Sequence, residues 1–142
     1  MARNAARRRL PRGFSLVEVS LAVAVVGILA TLAWPSHQAQ MQRARRLDAT
    51  QALTTLQQAQ EQFRLRHGAY ASDLAQLGRP GMLSPQGLYE LAVVAAAPGR
   101  VTLAARTRPG GAQRNDRDCP EITLALNEGV ADAGPSGRCW SL

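Results

Sequence analysis

The chain has 142 residues and a net charge of +7, and all 17 of its basic residues are arginine. That length fits one domain and is too short for two independent hydrophobic cores. The charge is uneven, because the first 13 residues hold five arginines and no acid, whereas the remaining 12 arginines face 10 acidic residues. The high pI is therefore mainly a property of the N-terminus and does not by itself predict a nucleic-acid-binding protein.

The first predicted element is an apolar helix from Phe14 to Trp34 that carries a single charged residue, Glu18. Its 21 residues would form a helix about 32 Å long, enough to cross the ~30 Å hydrocarbon core of a bilayer. More arginines precede this segment than follow it closely, which favours an N-terminus in the cytoplasm. An ionised side chain in such a segment usually has a partner or a function.

Three other kinds of segment share parts of this pattern. A secretory signal has a shorter apolar region with an A-x-A site at its far end, whereas the Ala-Val-Ala at residues 22–24 falls inside the run. The three arginines at residues 7–9 suggest a twin-arginine signal, but nothing else supports one. A plain membrane anchor explains the length but explains neither Gly13 at the boundary nor Glu18.

The second predicted element is an amphipathic helix over residues 36–67, which continues the first into one helix from about residue 14 to 67. Apolar residues recur there at three- and four-residue steps and form one stripe, which we expect to pack on a sheet: Ala49, Ala52, Leu53, Leu56, Ala59 and Phe63. The three arginines near its start, Arg43, Arg45 and Arg46, are placed on the other faces. Gly68 is a typical helix stop.

The rest of the chain predicts a loop and then strands. Residues 68–86 are rich in glycine, proline and serine and predict a loop, with a short helical turn at 73–77. Strands are predicted at 88–96, 101–107 and 121–126, the first two joined by the turn Pro98-Gly99. The tail from 130 onward is rich in turn-forming residues, so no strand is predicted there.

The two cysteines, Cys119 and Cys139, lie 20 positions apart near the end of the chain. Catalysis would need a nearby base, and the two histidines, His37 and His67, are far away in the sequence. A metal site would need more than two cysteines or a histidine at ligand spacing. A disulfide in an oxidising compartment is the preferred interpretation, and two free thiols are the alternative.

Charged residues in the second half raise two further hypotheses. The acidic residues Asp116, Asp118, Glu121, Glu128 and Asp132 do not have the spacing of a compact calcium loop and are interpreted as solvated loop charge, so no metal or cofactor is predicted. A basic track for DNA could be formed by Arg100, Arg106, Arg108, Arg114, Arg117 and Arg138. Nearby acids cancel much of that charge, so DNA binding is ranked below the main interpretation. No catalytic motif is present, and the chain is not predicted to be an enzyme.

The start of the chain resembles the class III signal of type IV prepilins. The shared pattern is a basic leader, then Gly13, Phe14, Ser15, Leu16, Val17 and Glu18, and then an apolar helix. The resemblance implies that prepilin peptidase cleaves between Gly13 and Phe14 and methylates the new amino group of Phe14. It also implies that Glu18 is the glutamate that pairs with a Phe14 amino group during filament assembly, and that Gly27 and Pro35 soften the helix.

The tail is similar to the disulfide-bounded loop of PilE-like pilins, since a cysteine, a strand, a glycine-rich stretch and Cys139-Trp140 follow one another. The resemblance implies a pilin fold of the α+β class, in which a long N-terminal helix packs on a small antiparallel sheet. Its implied partners are other pilin subunits, prepilin peptidase, the pilus assembly machinery and the inner membrane.

The sequence therefore predicts a structural subunit, PilE-like or minor, of a type IV pilus that supports pilus biogenesis, adhesion or twitching. Residues 1–13 are the cleaved leader, residues 14–35 the transmembrane and filament-core helix, and residues 36–142 the periplasmic head, whose sheet and disulfide loop span 87–142. The protein is expected in the inner membrane and then in a periplasmic or extracellular pilus. The alternatives are a pseudopilin of type II secretion and a DNA-uptake pilin.

Overall fold

The computed structural model describes residues 15–79 and 81–140, with the side chains of residues 32–36 left aside. The chain divides into two compact units, of which the first ends at Gln38 and the second begins at Ala39. The described part of the first unit, residues 15–38, is helical from Leu16 onward. The second unit holds the helix–sheet core and is called the head below.

The helix α1 runs from Leu16 to His67, which confirms the predicted long helix. Gly68, the residue after the helix, terminates it: its φ of 76° lies in the left-handed region that favours glycine, and its N–H donates to the carbonyl oxygen of Arg64 at 2.8 Å. Within the head, Ala49, Leu53 and Leu56 of the predicted stripe are buried. Their spacing puts them on one face of α1, so this face forms one side of the core.

A buried glutamine extends that helix face. Gln60 is fully buried, and its side-chain amide pairs with Ala71 in both directions: Nε2 donates to the Ala71 carbonyl at 3.0 Å, and the Ala71 N–H donates to Oε1 at 2.8 Å. Both polar groups of the amide are therefore satisfied, as burial requires. This pair fixes the start of the connection between α1 and the sheet. The same connection contains the short helical turn Ala75–Leu77.

The sheet has four antiparallel strands in the order β1-β2-β3-β4. Their bounds are Tyr89–Ala97 for β1, Arg100–Thr107 for β2, Glu121–Asn127 for β3 and Val130–Gly134 for β4. Alternate residues of the two central strands are buried against α1, namely Val101, Leu103, Ala105, Ile122, Leu124 and Leu126. The α+β fold and the three predicted strands are therefore confirmed.

The fourth strand, β4, is not predicted by the sequence pattern. Its sequence Val-Ala-Asp-Ala-Gly has low strand propensity, and its first four residues are exposed. It pairs with β3 because the intervening Glu128 and Gly129 both adopt positive φ, 50° and 90°, as tight hairpin turns require. The turn, and not the hydrophobic pattern, thus determines this strand.

Candidate functional site

The N-terminal part of α1 presents an apolar surface with one charge. Glu18 lies in the first turn, where a carboxylate interacts favourably with the helix dipole. Every side chain from 15 to 31 is exposed in the monomer. The hydroxyls of Ser20 and Thr31 donate to the carbonyl oxygens of Val17 and Ile28, at 2.9 and 2.7 Å, so these polar groups are satisfied within the helix. The surface can therefore pack against other apolar groups, with Glu18 as its charged point.

The predicted processing residues cannot be compared with the structure. Gly13 and Phe14 lie outside the described residues, so cleavage and methylation stay predictions. Gly27 lies inside α1, where an added Cβ would meet no atom within 4 Å, and Pro35 falls within the bounds of α1. Their proposed role in softening the helix also stays a prediction. Within residues 15–79 and 81–140, no helix meets the combined length and hydropathy expected of a membrane span.

The disulfide predicted for the tail is present. Cys119 and Cys139 are joined by an S–S bond of 2.02 Å, with their Cα atoms 5.7 Å apart, and both residues are buried. Cys119 stands just before β3, and Cys139 lies in the short helical turn Gly137–Trp140 near the C-terminus. The bond therefore ties the segment after β4 to the start of β3.

Beside the disulfide, a buried ion pair joins α1 to the loop between β2 and β3, residues 108–120. The guanidinium of Arg46 donates to both carboxylate oxygens of Asp116 at 2.7 Å, and both residues are 2% exposed. Arg46 also donates to the carbonyl oxygen of Arg138 at 3.3 Å, and Asp116 accepts from the N–H of Cys119 at 3.3 Å. We call the Arg46–Asp116 pair the clasp.

The electrostatics of the clasp follow from its burial and its geometry. Burial alone would raise the pKa of Asp116, but the hydrogen bonds and positive charge of Arg46 outweigh it and hold that pKa below its usual value. The hydrogen bond from Arg46 to Asp116 in turn raises the pKa of the Arg46 guanidinium. Both groups are therefore charged at neutral pH.

Further contacts fix the same loop to α1. Arg45 donates to the carbonyl oxygen of Ala112 at 3.1 Å, and Gln113 donates to the carbonyl oxygen of Gln42 at 2.9 Å. Gln113 also donates to Asp116 at 2.9 Å. The loop is thus attached to α1 through side-chain and backbone atoms that precede the clasp residues in both segments.

The clasp corrects two predictions from the sequence. The interpretation of Asp116 as solvated loop charge is wrong, because this residue is buried and paired. The placement of Arg46 on a face of α1 other than the stripe that packs on the sheet is also wrong, since it is among the largest fully buried side chains. The two residues are 70 positions apart, and the sequence offers three closely spaced arginines and several acids, so no local pattern identifies this pair.

The arginines of the predicted DNA track have different surroundings. Arg106 is exposed but forms an ion pair with Glu121 at 2.9 Å, and Arg108 donates to the carbonyl oxygen of Gly87 at 3.1 Å. Arg100, Arg114, Arg117 and Arg138 are also exposed. Arg100 lies at the start of β2, whereas Arg114 and Arg117 lie in the loop after its end. Arg106 and Arg108 therefore have partners of their own, whereas the other arginines of the predicted track lie at the start of β2 or in the segments that the clasp joins.

Two known families match parts of this chain. Residues 8–34 match the prokaryotic N-terminal methylation motif. Residues 35–123, more than half of the chain, match the family described as "Type IV minor pilin ComP, DNA uptake sequence receptor". The chain belongs to the ComP family of type IV minor pilins. The members of this family are structural pilin subunits and not enzymes.

Individual relatives agree with this assignment to the pilins. The chain is 32% identical over 80 residues to the type IV major pilin protein PilE of Neisseria gonorrhoeae, covering 56% of this chain and 48% of that protein. It is 25% identical over 134 residues to the fimbrial protein EcpC of Eikenella corrodens, covering 94% of this chain and 85% of that protein. This pilin spans about half the length of the Neisseria relative that it matches.

The ComP match includes most of the head's structural features. It covers the head part of α1, strands β1 and β2, the loop 108–120 and Cys119, and it ends inside β3. Both clasp residues lie within it, whereas Cys139 lies beyond it. The pilin identity thus rests on the region that builds the clasp as well as on the N-terminal motif.

Proposed function

We propose that this pilin is a minor subunit of a type IV pilus that assembles through its N-terminal helix. It is inserted in the inner membrane with its N-terminus in the cytoplasm, and prepilin peptidase cleaves it between Gly13 and Phe14 and methylates Phe14. It then joins other pilin subunits in a periplasmic or extracellular filament. The observation that carries this proposal is the match of residues 8–34 to the N-terminal methylation motif.

The position of Glu18 supports the same proposal. It is the one charged side chain on the exposed apolar part of α1 between residues 15 and 31, and a charge among packed apolar helices needs a partner. Cleavage after Gly13 creates the α-amino group of Phe14, which is positively charged in its unmethylated and monomethylated forms. Pairing between Glu18 and the Phe14 amino group of a neighbouring subunit would set the axial register of the filament.

N-terminal sequencing of the membrane-extracted protein tests the processing step. The protein from cells with an active prepilin peptidase should begin at Phe14, and mass spectrometry should show one methyl group. The matched control is Gly13→Glu, whose side chain should block cleavage and leave the leader in place. A wild-type protein that begins at Met1 in those cells would reject the proposal.

The second candidate function is DNA binding by the head. The family description names a DNA uptake sequence receptor, and residues 36–142 hold 12 arginines against nine acidic residues. Arginine-rich surfaces bind DNA phosphates, and such binding weakens steeply as the salt concentration rises. The composition alone ranked DNA uptake below a general role in the pilus. With the family description, DNA uptake becomes the second candidate function.

The direct test is a titration of the full-length mature protein, in neutral detergent micelles, against a labelled DNA duplex at two salt concentrations. Binding at the lower salt that weakens at the higher salt is the expected result. An absence of binding at both concentrations would reject DNA binding while leaving the pilin assignment intact.

A further inference from the structure

Exposed arginines lie in each of the three segments that meet at the clasp. Arg114 and Arg117 lie on either side of Asn115 and Asp116 in the loop 108–120, and both are exposed. Arg138, also exposed, offers the carbonyl oxygen that Arg46 binds. On α1, Arg43 is exposed and Arg45 is partly exposed next to the residues that hold the loop. The clasp thus joins three segments that are distant in sequence and that together carry five arginines.

Few negative charges oppose these arginines. Between residues 109 and 120 the carboxylates are those of Asp116 and Asp118. Asp116 is neutralised by Arg46, and Asp118, whose side chain is 71% exposed, lies 3.7 Å from the same guanidinium. The residues 39–47 and 135–140 contain no acid. Arg106 differs, because Glu121 neutralises it directly.

We infer that the clasp positions Arg114, Arg117 and Arg138 as one phosphate-binding surface for duplex DNA. This inference rests on the DNA-binding function proposed above and assigns it to named residues. The planar guanidinium of arginine suits phosphate, which it can bind through two parallel hydrogen bonds. Arg46 and Asp116 are buried and do not reach the DNA themselves, so they act as positioning residues.

The clasp matters because a loop that is ordered before binding loses less conformational freedom when it binds. In the structure the loop is held by Arg45, Gln42 and Gln113 as well as by the clasp. The carbonyl of Arg138 is held by the same guanidinium as Asp116. Breaking the clasp should therefore disturb the loop arginines and Arg138 together.

The experiment measures the anisotropy of a fluorescein-labelled duplex with full-length mature protein in neutral detergent micelles. Replacing Arg114 and Arg117 together by alanine should weaken binding about tenfold at low salt. It should also reduce the slope of affinity against salt concentration by the equivalent of about two phosphate contacts. The matched control is Arg100→Ala, which removes another exposed arginine at the far end of β2, about 26 Å along the strand from the start of the loop. Its affinity should change by less than about twofold.

Asp116→Asn separates positioning from simple charge. The substitution removes a negative charge from a basic surface, so electrostatics alone predicts tighter binding. The positioning role predicts weaker binding, by about fivefold, in protein that a melting curve shows to be folded at the assay temperature. If that variant is not folded, Gln113→Ala decides the question, because it removes the contacts of the loop with Gln42 and Asp116 without changing the charge. Weaker binding would support the positioning role, and unchanged binding would reject it.

Each remaining outcome overturns a defined statement. Wild-type protein that fails to bind the duplex rejects the DNA-binding function itself. Wild-type binding that is affected equally by the double substitution and by Arg100→Ala leaves that function standing but rejects this surface. Tighter binding by folded Asp116→Asn rejects the positioning role. Stronger binding to vesicles of anionic lipid than to the duplex, dependent on the same arginines, would assign the surface to a membrane.

Discussion

Arg46 and Asp116 form a two-bonded ion pair, 2.7 Å at each contact, in which neither residue is more than 2% exposed. The pair connects α1 to the loop between β2 and β3, and the Arg46 guanidinium also reaches the backbone next to Cys139. The helix, the loop and the disulfide-linked tail therefore meet at one buried guanidinium.

Removing one partner of this pair should destabilise the head. Asp116→Ala leaves the Arg46 charge buried without its counterion, and the loss of one partner of a buried pair typically costs about 3–5 kcal/mol. Thermal or urea unfolding of the full-length protein in detergent measures the loss. The control is Glu121→Ala, which breaks the exposed Arg106–Glu121 pair and should leave the melting temperature nearly unchanged. An equal effect of the two substitutions would contradict the structural role of the clasp.

The clasp also predicts sensitivity to acid. Because the folded-state pKa of Asp116 lies below the value of an unfolded aspartate, near 3.9, its stabilising contribution is complete above that pH. The contribution is lost as the pH falls from about 4 through the lower pKa of the folded protein. Asp116→Asn should be less stable than wild type at neutral pH, and the difference should shrink below pH ~4. A difference that stays constant from neutral to acid pH would contradict this linkage.

The disulfide should make a separate contribution to stability. Its loop of about 20 residues restricts the unfolded chain, which corresponds to about 3 kcal/mol. Replacing Cys119 and Cys139 together by alanine should lower the melting temperature, and a reductant should lower that of the wild type but leave the double variant unchanged. Mass spectrometry should show the oxidised wild type to be two hydrogens lighter than the reduced form. An identical melting temperature for the oxidised and the reduced wild-type protein would refute this prediction.

The sequence predicts those features that follow from local pattern. The 3.6-residue stripe around Leu53 gives the helix, the alternation of Ile122, Leu124 and Leu126 gives β3, and two cysteines give one disulfide. The features that it misses have no such pattern. Gln60 and Asp116 are polar residues that are buried with partners from other segments, and those partners cannot be recognised from neighbouring residues. β4 has little hydrophobic alternation of its own and depends on the backbone conformation of the turn before it.

The candidate sites also differ in whether the sequence alone reveals them. The N-terminal motif with Glu18 is a contiguous pattern and is recognisable from sequence. The arginines near the clasp are spread over residues 43–138. A sequence shows neither that the clasp joins the segments that carry them nor that Glu121 neutralises Arg106. Only the folded chain distinguishes Arg114 and Arg117 from the other exposed arginines.

The central claim is that this pilin enters a filament through Glu18, and its most direct test is the incorporation of Glu18→Ala. The substitution should leave cleavage and head folding intact, because neither needs this carboxylate. The measurement is the amount of the subunit in sheared filaments relative to the amount in membranes, at matched expression, with Glu90→Ala on the exposed face of β1 as the control. We predict wild-type incorporation for Glu90→Ala and a fall of at least about tenfold for Glu18→Ala, since the amino group of Phe14 loses its partner among apolar helices. Equal incorporation of Glu18→Ala and wild type would contradict the claim.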